Sequence, residues 1–199
     1  MELVGILLAA GRGARFDRTG EQLKLLQARR SGPGQGEPIA LAAARKLRSA
    51  LTTVIAVVRP GDEPHQQTLR RMLEDAGCTV VDCSTASRAE EGMGASLARG
   101  VAARPDAAGW IVALADMPAI APATIVAVRT AIEQGASCAA PYFNGRRGHP
   151  VGFSAACGPD LAALRGDTGG SSVLQRYPPV RVAVDDPGIL LDVDTTDDL

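Results

Sequence analysis

A glycine-rich turn near the start of the chain carries groups that could hold a phosphate. Residues 8–16 read LAAGRGARF and follow a continuous apolar run. Gly11 and Gly13 allow backbone conformations and close approaches that a side chain would block. Successive N–H groups of such a turn can point at phosphate oxygens, and Arg15 and Lys24 would add positive charge. A plain tight turn is the alternative, because glycine is common in turns.

The same turn lacks the marks of two other phosphate-binding loops. It has no Gly-Lys-Ser/Thr, which excludes a P-loop, and Phe16 stands where the dinucleotide fingerprint needs its third glycine. A nicotinamide-binding dehydrogenase is disfavoured further, because the second apolar run is followed by Arg59 where that fold uses an acidic residue.

A single carboxylate follows a fully apolar run in the middle of the chain. Residues 110–114 read WIVAL, Asp116 is the first charged residue after them, and Pro118 turns the chain. Magnesium prefers one or two carboxylates together with substrate phosphates, so Asp116 is a candidate metal ligand. A helix N-cap or turn aspartate is the alternative interpretation.

More carboxylates lie in the terminal segment LLDVDTTDDL. Asp192 and Asp194 alternate along an extended stretch, so their side chains point to opposite sides and at most one should face a given site. Thr195 or Thr196 is predicted to cap a short helix, with residues 197–198 in its first turn.

Two polar loops complete the candidates. In GHPV, His149 lies between Gly148 and Pro150, and the preceding Arg146 and Arg147 could meet an acidic acceptor. A single histidine is more often structural than catalytic. The loop GDTGGS at 166–171 could bind an anion through its N–H groups, or could be a capped connection to a helix.

Short apolar runs alternate with helical patterns along the whole chain. This alternation predicts an α/β fold with a mostly parallel sheet, whose carboxyl edge binds the ligand. The predicted strands are 3–8, 54–58, 79–81, 110–114, 137–140, 151–154 and 180–184. The predicted helices are 38–50, 64–76, 96–103, 122–134, 158–164 and 171–176. Residues 29–37 and 144–149 are predicted loops, and residues 1–199 are expected to form a single domain.

Composition and charge exclude several other classes of protein. The net charge of −1 leaves no basic footprint for nucleic acid. The first apolar run is too short to cross a membrane and lacks the layout of a signal peptide. Four cysteines show neither zinc-ligand nor disulfide-scaffold spacing, which favours free thiols in a reducing cytoplasm.

Together and in this order, the segments resemble the MobA-like NTP-transferase family, and within it most closely the molybdenum cofactor cytidylyltransferases. The resemblance rests on LAAGRGARF with KLL, the segment EGMGASL at 91–97, DMP, GHPV, GDTGG and DVDTTDDL. It implies a Rossmann-like three-layer sandwich of the nucleotide-diphospho-sugar transferase type. It also implies transfer of CMP from CTP to the phosphate of a molybdopterin, with release of pyrophosphate.

The resemblance also implies a role for each matching residue. Catalysis would fall to Arg15, Lys24 and Asp116. The nucleotide would contact Leu8, Ala9, Ala10, Gly11, Gly13, Arg15, Lys24, Gly92, Ser96 and Asp116. Magnesium would be held by Asp116 with Asp192, or with Asp194 as the alternative. The pterin-type acceptor would meet His149, Pro150, Gly169 and Gly170.

The family pattern leaves alternatives open. LAAG resembles its cytidine-selecting form and LAGG its guanosine-selecting form, so this chain favours CTP. A GTP-dependent guanylyltransferase and an enzyme for another phosphorylated small molecule are the nearest rivals. The interval between Arg15 and Lys24 is longer than in the family, which would suit a nucleotide-binding regulator without catalysis. A downstream molybdoenzyme or its chaperone is the implied protein partner, in the cytoplasm, with no membrane or nucleic acid involved.

Overall fold

A central β-sheet is built from the short apolar runs of the sequence. The computed structural model describes residues 2–11, 16, 23–30, 35–83 and 92–199. In that part of the chain the sheet has eight strands. They are β1 Leu3–Ala9, β2 Val54–Val58, β3 Thr79–Asp82, β4 Gly109–Leu114, β5 Cys138–Phe143, β6 Arg146–Arg147, β7 Val151–Ser154 and β8 Val180–Ala183.

The strand order places four parallel strands side by side. The order is β3-β2-β1-β4-β7-β5-β6, and β8 pairs with β5. Strands β3, β2, β1 and β4 run parallel, as does the β5–β8 pair, whereas β7 is antiparallel to both β4 and β5. The carboxyl ends of β1 to β4 therefore meet at one edge, which is where the sequence placed its candidate residues.

Among the residues that the structure describes, six α-helices cover the two faces of the sheet. They are α1 Ile39–Ala50, α2 Pro64–Asp75, α3 Met93–Ala103, α4 Pro122–Glu133, α5 Gly158–Ala162 and α6 Ser171–Arg176. Side chains of α1, α2 and α4 pack with Leu3 and Leu7 of β1 on one face. Side chains of α3, α5 and α6 pack with Val4 and Ile6 on the other. Alternate residues of β1 thus enter different cores, as the period of a strand requires.

The predicted three-layer α/β fold is confirmed, and two local predictions need correction. Helix α3 begins at Met93, one turn before the predicted start at residue 96, because Gly92 at φ 115° is the point where the backbone breaks. The predicted loop 144–149 contains strand β6, which pairs with the end of β5 through a turn at Asn144 and Gly145.

Helix length bears on whether the described residues could cross a membrane, and thiol burial bears on the reactivity of the cysteines. Among the described residues, no helix has the length and the apolar character that a membrane crossing requires. All four cysteines are buried, and burial raises the pKa of Cys78 to about 11. Burial also raises the pKa of Cys138 and Cys157, so these three thiols are protonated near neutral pH and are poor nucleophiles.

Candidate functional site

The carboxyl edge of the parallel strands brings Lys24 and Asp116 together. Lys24 opens the short 3₁₀ helix Lys24–Leu26, and Asp116 lies two residues beyond the end of β4. The ammonium Nζ of Lys24 donates a hydrogen bond to Oδ2 of Asp116 over 2.8 Å. Lys24 is only 8% exposed. The long interval after Arg15 therefore does not keep the lysine away from the strand edge.

The terminal segment supplies a second carboxylate to the same ammonium. The Val193 N–H donates to the backbone oxygen of Asp116 over 2.9 Å, and the Val193 side chain is buried. Oδ1 of Asp194 lies 3.7 Å from Nζ of Lys24. Two carboxylates from distant parts of the sequence thus converge on one positive charge.

Asp192 is exposed on the terminal segment. Its negative charge and that of Asp116 both act to raise the pKa of His149. Asp194 lies next to Lys24, as described above.

The convergence of Asp116 and Asp194 fits the chemistry of a hard divalent cation. Each offers a carboxylate oxygen, and Mg²⁺ or Mn²⁺ commonly takes one or two carboxylates and completes its shell with water and phosphate oxygens. In the described part of the chain, no three acidic, histidine or cysteine side chains cluster closely enough to bind a metal by themselves. A metal here would therefore need substrate phosphates as further ligands.

His149 is held between β7 and Ile189, which directly precedes the terminal segment. The backbone N–H of His149 donates to the backbone oxygen of Ile189 over 3.1 Å. A Cβ on Gly148 would overlap with the same oxygen, so only glycine fits there. The peptide bond to Pro150 is cis. Burial is the main cause that lowers the pKa of His149 from its ordinary value, followed by the charge of Arg147. The imidazole is therefore neutral near pH 7, and its buried Nδ1 has no hydrogen-bond partner among the described residues.

The buried Asp186 connects the residues just before the terminal segment to the loop after Asp116. Asp186 Oδ2 accepts hydrogen bonds from the Ala121 N–H over 2.8 Å and from the Thr124 hydroxyl over 2.7 Å, and Oδ1 accepts from the Gly188 N–H over 3.0 Å. Because Ala121 is the N-cap of α4, Asp186 caps that helix from a distant part of the sequence.

The end of the terminal segment is closed by a capping box. The Thr195 backbone N–H and hydroxyl donate to Oδ2 of Asp198, over 2.7 Å and 2.8 Å. These bonds hold the pKa of Asp198 below its usual range. The short helix is Thr196–Asp198 with Thr195 as its N-cap, as the sequence predicted.

The start of α3 and the GDTGG loop form one surface. A Cβ on Gly92 would come 2.5 Å from the carbonyl carbon of Gly166, and one on Gly94 would come 3.2 Å from the Gly169 nitrogen. The backbones therefore touch where only glycine fits. Gly170 packs behind them against Phe153.

The remaining predicted site residues lie at the end of β1, in buried positions, or outside the described residues. Ala10 and Gly11 follow the end of β1, where the Leu8 oxygen accepts from the Ala115 N–H over 3.0 Å. The side chain of Ala9 belongs to the core, and Ser96 is buried inside α3. Both are therefore removed from the surface. Gly13, Arg15 and the motif residue Glu91 lie outside the described residues.

Comparison with known proteins now decides the family. A family model for the MobA-like NTP transferase domain matches residues 5–182. The chain belongs to this family. Comparison with curated proteins gave no significant match. The family-model match over residues 5–182 confirms the resemblance to the MobA-like family that the sequence motifs predicted.

Solved structures agree with the family assignment. Rv0371c from Mycobacterium tuberculosis H37Rv is 27% identical with a TM-score of 0.76, and the alignment covers 100% of this chain and 96% of that one. Its complex with manganese is 28% identical with a TM-score of 0.72 over the same shares. A nucleotidyl transferase from Methanothermobacter thermautotroptrophicus shares the fold at 23% identity and a TM-score of 0.76, covering 99% and 94% of the two chains.

Three residues with specific tertiary contacts were not singled out by the sequence prediction. Asp186 is a buried carboxylate whose one sequence signal is its place before Pro187-Gly188, a turn pattern. Tyr142 and Arg181 lie on the neighbouring strands β5 and β8. The guanidinium of Arg181 lies over the Tyr142 ring. The local sequence of the two strands does not predict this contact.

Proposed function

We propose that this chain transfers CMP from CTP to the phosphate of a molybdopterin-type acceptor in the cytoplasm, with Mg²⁺ as the metal. The observation that carries the proposal is the convergence of Asp116 and Asp194 on the ammonium of Lys24, next to the end of β1, where the Leu8 oxygen accepts from the Ala115 N–H. Membership of the MobA-like family and the nucleotidyl transferase among its structural neighbours support the reaction class. The manganese complex of a structural neighbour supports a divalent metal.

The residues of the site suit a reaction that needs no protein nucleophile. A phosphate monoester is already an anionic nucleophile, and its oxygen would attack the α-phosphorus of CTP in line while pyrophosphate leaves. The divalent cation would be held by Asp116 and Asp194, and it would supply charge neutralisation at the phosphates. Lys24 and Arg15 would neutralise the departing pyrophosphate. Catalysis would then rest on position and electrostatics.

Substrate preference is inferred from the remaining motifs. Ala9-Ala10-Gly11 corresponds to the cytidine-selecting form of the family turn. Gly92, at the start of α3, is proposed to lie near the nucleobase. The contact between Gly92 and the loop 166–170 supports a shared pocket for nucleobase and acceptor. His149 and Pro150 are proposed to face the acceptor, and a molybdoenzyme or its chaperone would then receive the product.

Pyrophosphate release tests the proposal directly. Purified protein with Mg²⁺ is mixed with each of the four nucleoside triphosphates, once with molybdopterin and once with a sugar phosphate. Release with CTP and molybdopterin alone is the expected result. Release with GTP would keep the metal site and overturn the base assignment. Release with the sugar phosphate alone would replace the acceptor, and nucleotide binding without any release would point to a regulator.

A further inference from the structure

A tyrosine between two arginines forms a positively charged surface next to the site. Tyr142 on β5 pairs with Arg147 on β6. On the opposite side, the guanidinium of Arg181 on β8 lies 4.3 Å from the centre of the Tyr142 ring. Paired residues of neighbouring strands project from the same face of a sheet. Tyr142, Arg147 and Arg181 together are called the Tyr142 platform below.

Neither of the platform arginines, Arg147 and Arg181, is in an ion pair with a carboxylate of the described residues. Other arginines of the chain do have acidic partners within ion-pair distance, and these are Arg45, Arg70, Arg104, Arg129 and Arg176. Two unpaired guanidinium groups on either side of one ring favour binding of an anion.

The platform is connected to the candidate site through His149. Arg147 lies two residues before His149 and is close enough for its charge to act on that imidazole, as do the charges of Asp116 and Asp192. The Tyr142 side chain packs against the core under α3, α5 and α6, on the side of the sheet where the loop 166–170 meets α3. The platform therefore flanks the region proposed for the acceptor.

We propose that Arg147 and Arg181, held on either side of Tyr142, form the subsite that binds the phosphate monoester of the acceptor. This inference rests on the proposed function for the identity of the occupant. Arg147 and Arg181 orient the dianionic phosphate before its oxygen reaches the nucleotide. Arg181 gains rigidity from stacking on the tyrosine ring, which lowers the entropic cost of binding. The substrate class is accordingly a small molecule with an exposed phosphate monoester.

Phosphate binding by matched arginine variants tests the subsite. Inorganic phosphate is the probe, and calorimetry follows its binding to protein saturated with Mg²⁺ and a non-hydrolysable α,β-methylene analogue of CTP. Arg147→Ala and Arg181→Ala should each weaken binding about tenfold, since hydrogen bonds to charged groups carry that much free energy. Arg146→Ala is the control, because it removes the same charge from the neighbouring position, which points to the opposite face of β6.

Two further measurements distinguish a binding role of the arginines from a structural one. Arg181→Lys keeps the charge and loses the planar fork, so it should bind phosphate with intermediate affinity. In steady-state kinetics, Arg147→Ala and Arg181→Ala should raise KM for the acceptor and leave KM for the nucleotide unchanged. Equal phosphate affinity in the Arg146, Arg147 and Arg181 variants, or no phosphate binding to the wild type, would overturn the subsite.

Failure of the proposed function gives a different result. If the wild type releases no pyrophosphate with any nucleotide, the reaction is wrong, yet the difference between Arg146→Ala and Arg181→Ala in phosphate affinity can still be measured on nucleotide-free protein. A difference there supports an anion subsite in a protein with another activity. Its absence overturns the subsite independently of the reaction.

Discussion

The ammonium of Lys24 lies 2.8 Å from Oδ2 of Asp116 and 3.7 Å from Oδ1 of Asp194. Lys24 follows β1, Asp116 follows β4, and Asp194 comes from the terminal segment. The ammonium therefore occupies the point at which a divalent metal would meet the same two carboxylates. We expect the lysine and a metal ion to compete for this position without nucleotide. With nucleotide bound, the phosphates would offer the lysine another partner.

Replacement of Lys24 should separate turnover from metal affinity. Lys24→Ala is expected to lower the rate of pyrophosphate release about hundredfold, because one preorganised charge is lost from the transition state. It should also strengthen Mn²⁺ binding to the nucleotide-free protein, because the carboxylates lose their competing ammonium. Steady-state kinetics and Mn²⁺ titration by electron paramagnetic resonance measure the two effects.

The matched control for that experiment is Arg71→Ala, an exposed positive charge on α2. It should leave both turnover and Mn²⁺ affinity at wild-type values. Weaker Mn²⁺ binding by Lys24→Ala would contradict the competition, and a wild-type rate would remove Lys24 from the catalytic groups.

Asp186 is expected to stabilise the residues that lead into the terminal segment. Asp186→Ala leaves the Ala121 and Gly188 N–H groups and the Thr124 hydroxyl without their acceptor, which should cost about 2 kcal/mol of unfolding free energy. Asp186→Asn keeps one acceptor oxygen and should cost less. Urea unfolding measures the loss, and Asp185→Ala, an exposed neighbour, is the control. Equal stability of the Asp185 and Asp186 variants would show that the segment is held in another way.

The contact between α3 and the loop 166–170 can be tested with two glycines that both have positive φ. Gly135→Ala meets open space, so it should cost only about 1 kcal/mol for the strained backbone. Gly92→Ala adds an overlap with Gly166 to that strain, so it should cost more and also raise KM for the nucleotide. Thermal unfolding and steady-state kinetics measure these effects. An identical loss of stability in the two variants, with KM unchanged, would contradict a tight contact at the nucleotide side.

Local patterns were enough to predict most of the fold. The apolar runs placed β2 at residues 54–58 as observed, and Gly77 marked the end of α2 closely, because strands and helices of this sheet follow their own periodicity. The start of α3 was predicted too late, since the pattern does not reveal that Gly92 adopts a positive φ. Strand β6 was missed because its two exposed arginines have no apolar alternation.

The candidate site was predictable only in part. Asp116 and the terminal aspartates could be named because they follow apolar strands or runs. The contact from Lys24 to Asp116 spans ninety-two positions of sequence and depends on how the chain between β1 and α1 folds back, which no local pattern contains. Asp186 and the pair of Tyr142 and Arg181 depend on strand pairing and burial in the same way.

If Asp116 holds the metal of a nucleotidyltransferase, its replacement should abolish turnover. Pyrophosphate release from CTP with molybdopterin is followed for wild type, Asp116→Asn and the remote, exposed control Asp75→Asn, across a range of Mg²⁺ concentrations. We expect a loss of about hundredfold or more in turnover for Asp116→Asn, not recovered by added Mg²⁺, and wild-type behaviour for Asp75→Asn. A near-normal rate for Asp116→Asn would contradict a role of this carboxylate in metal-dependent nucleotidyl transfer.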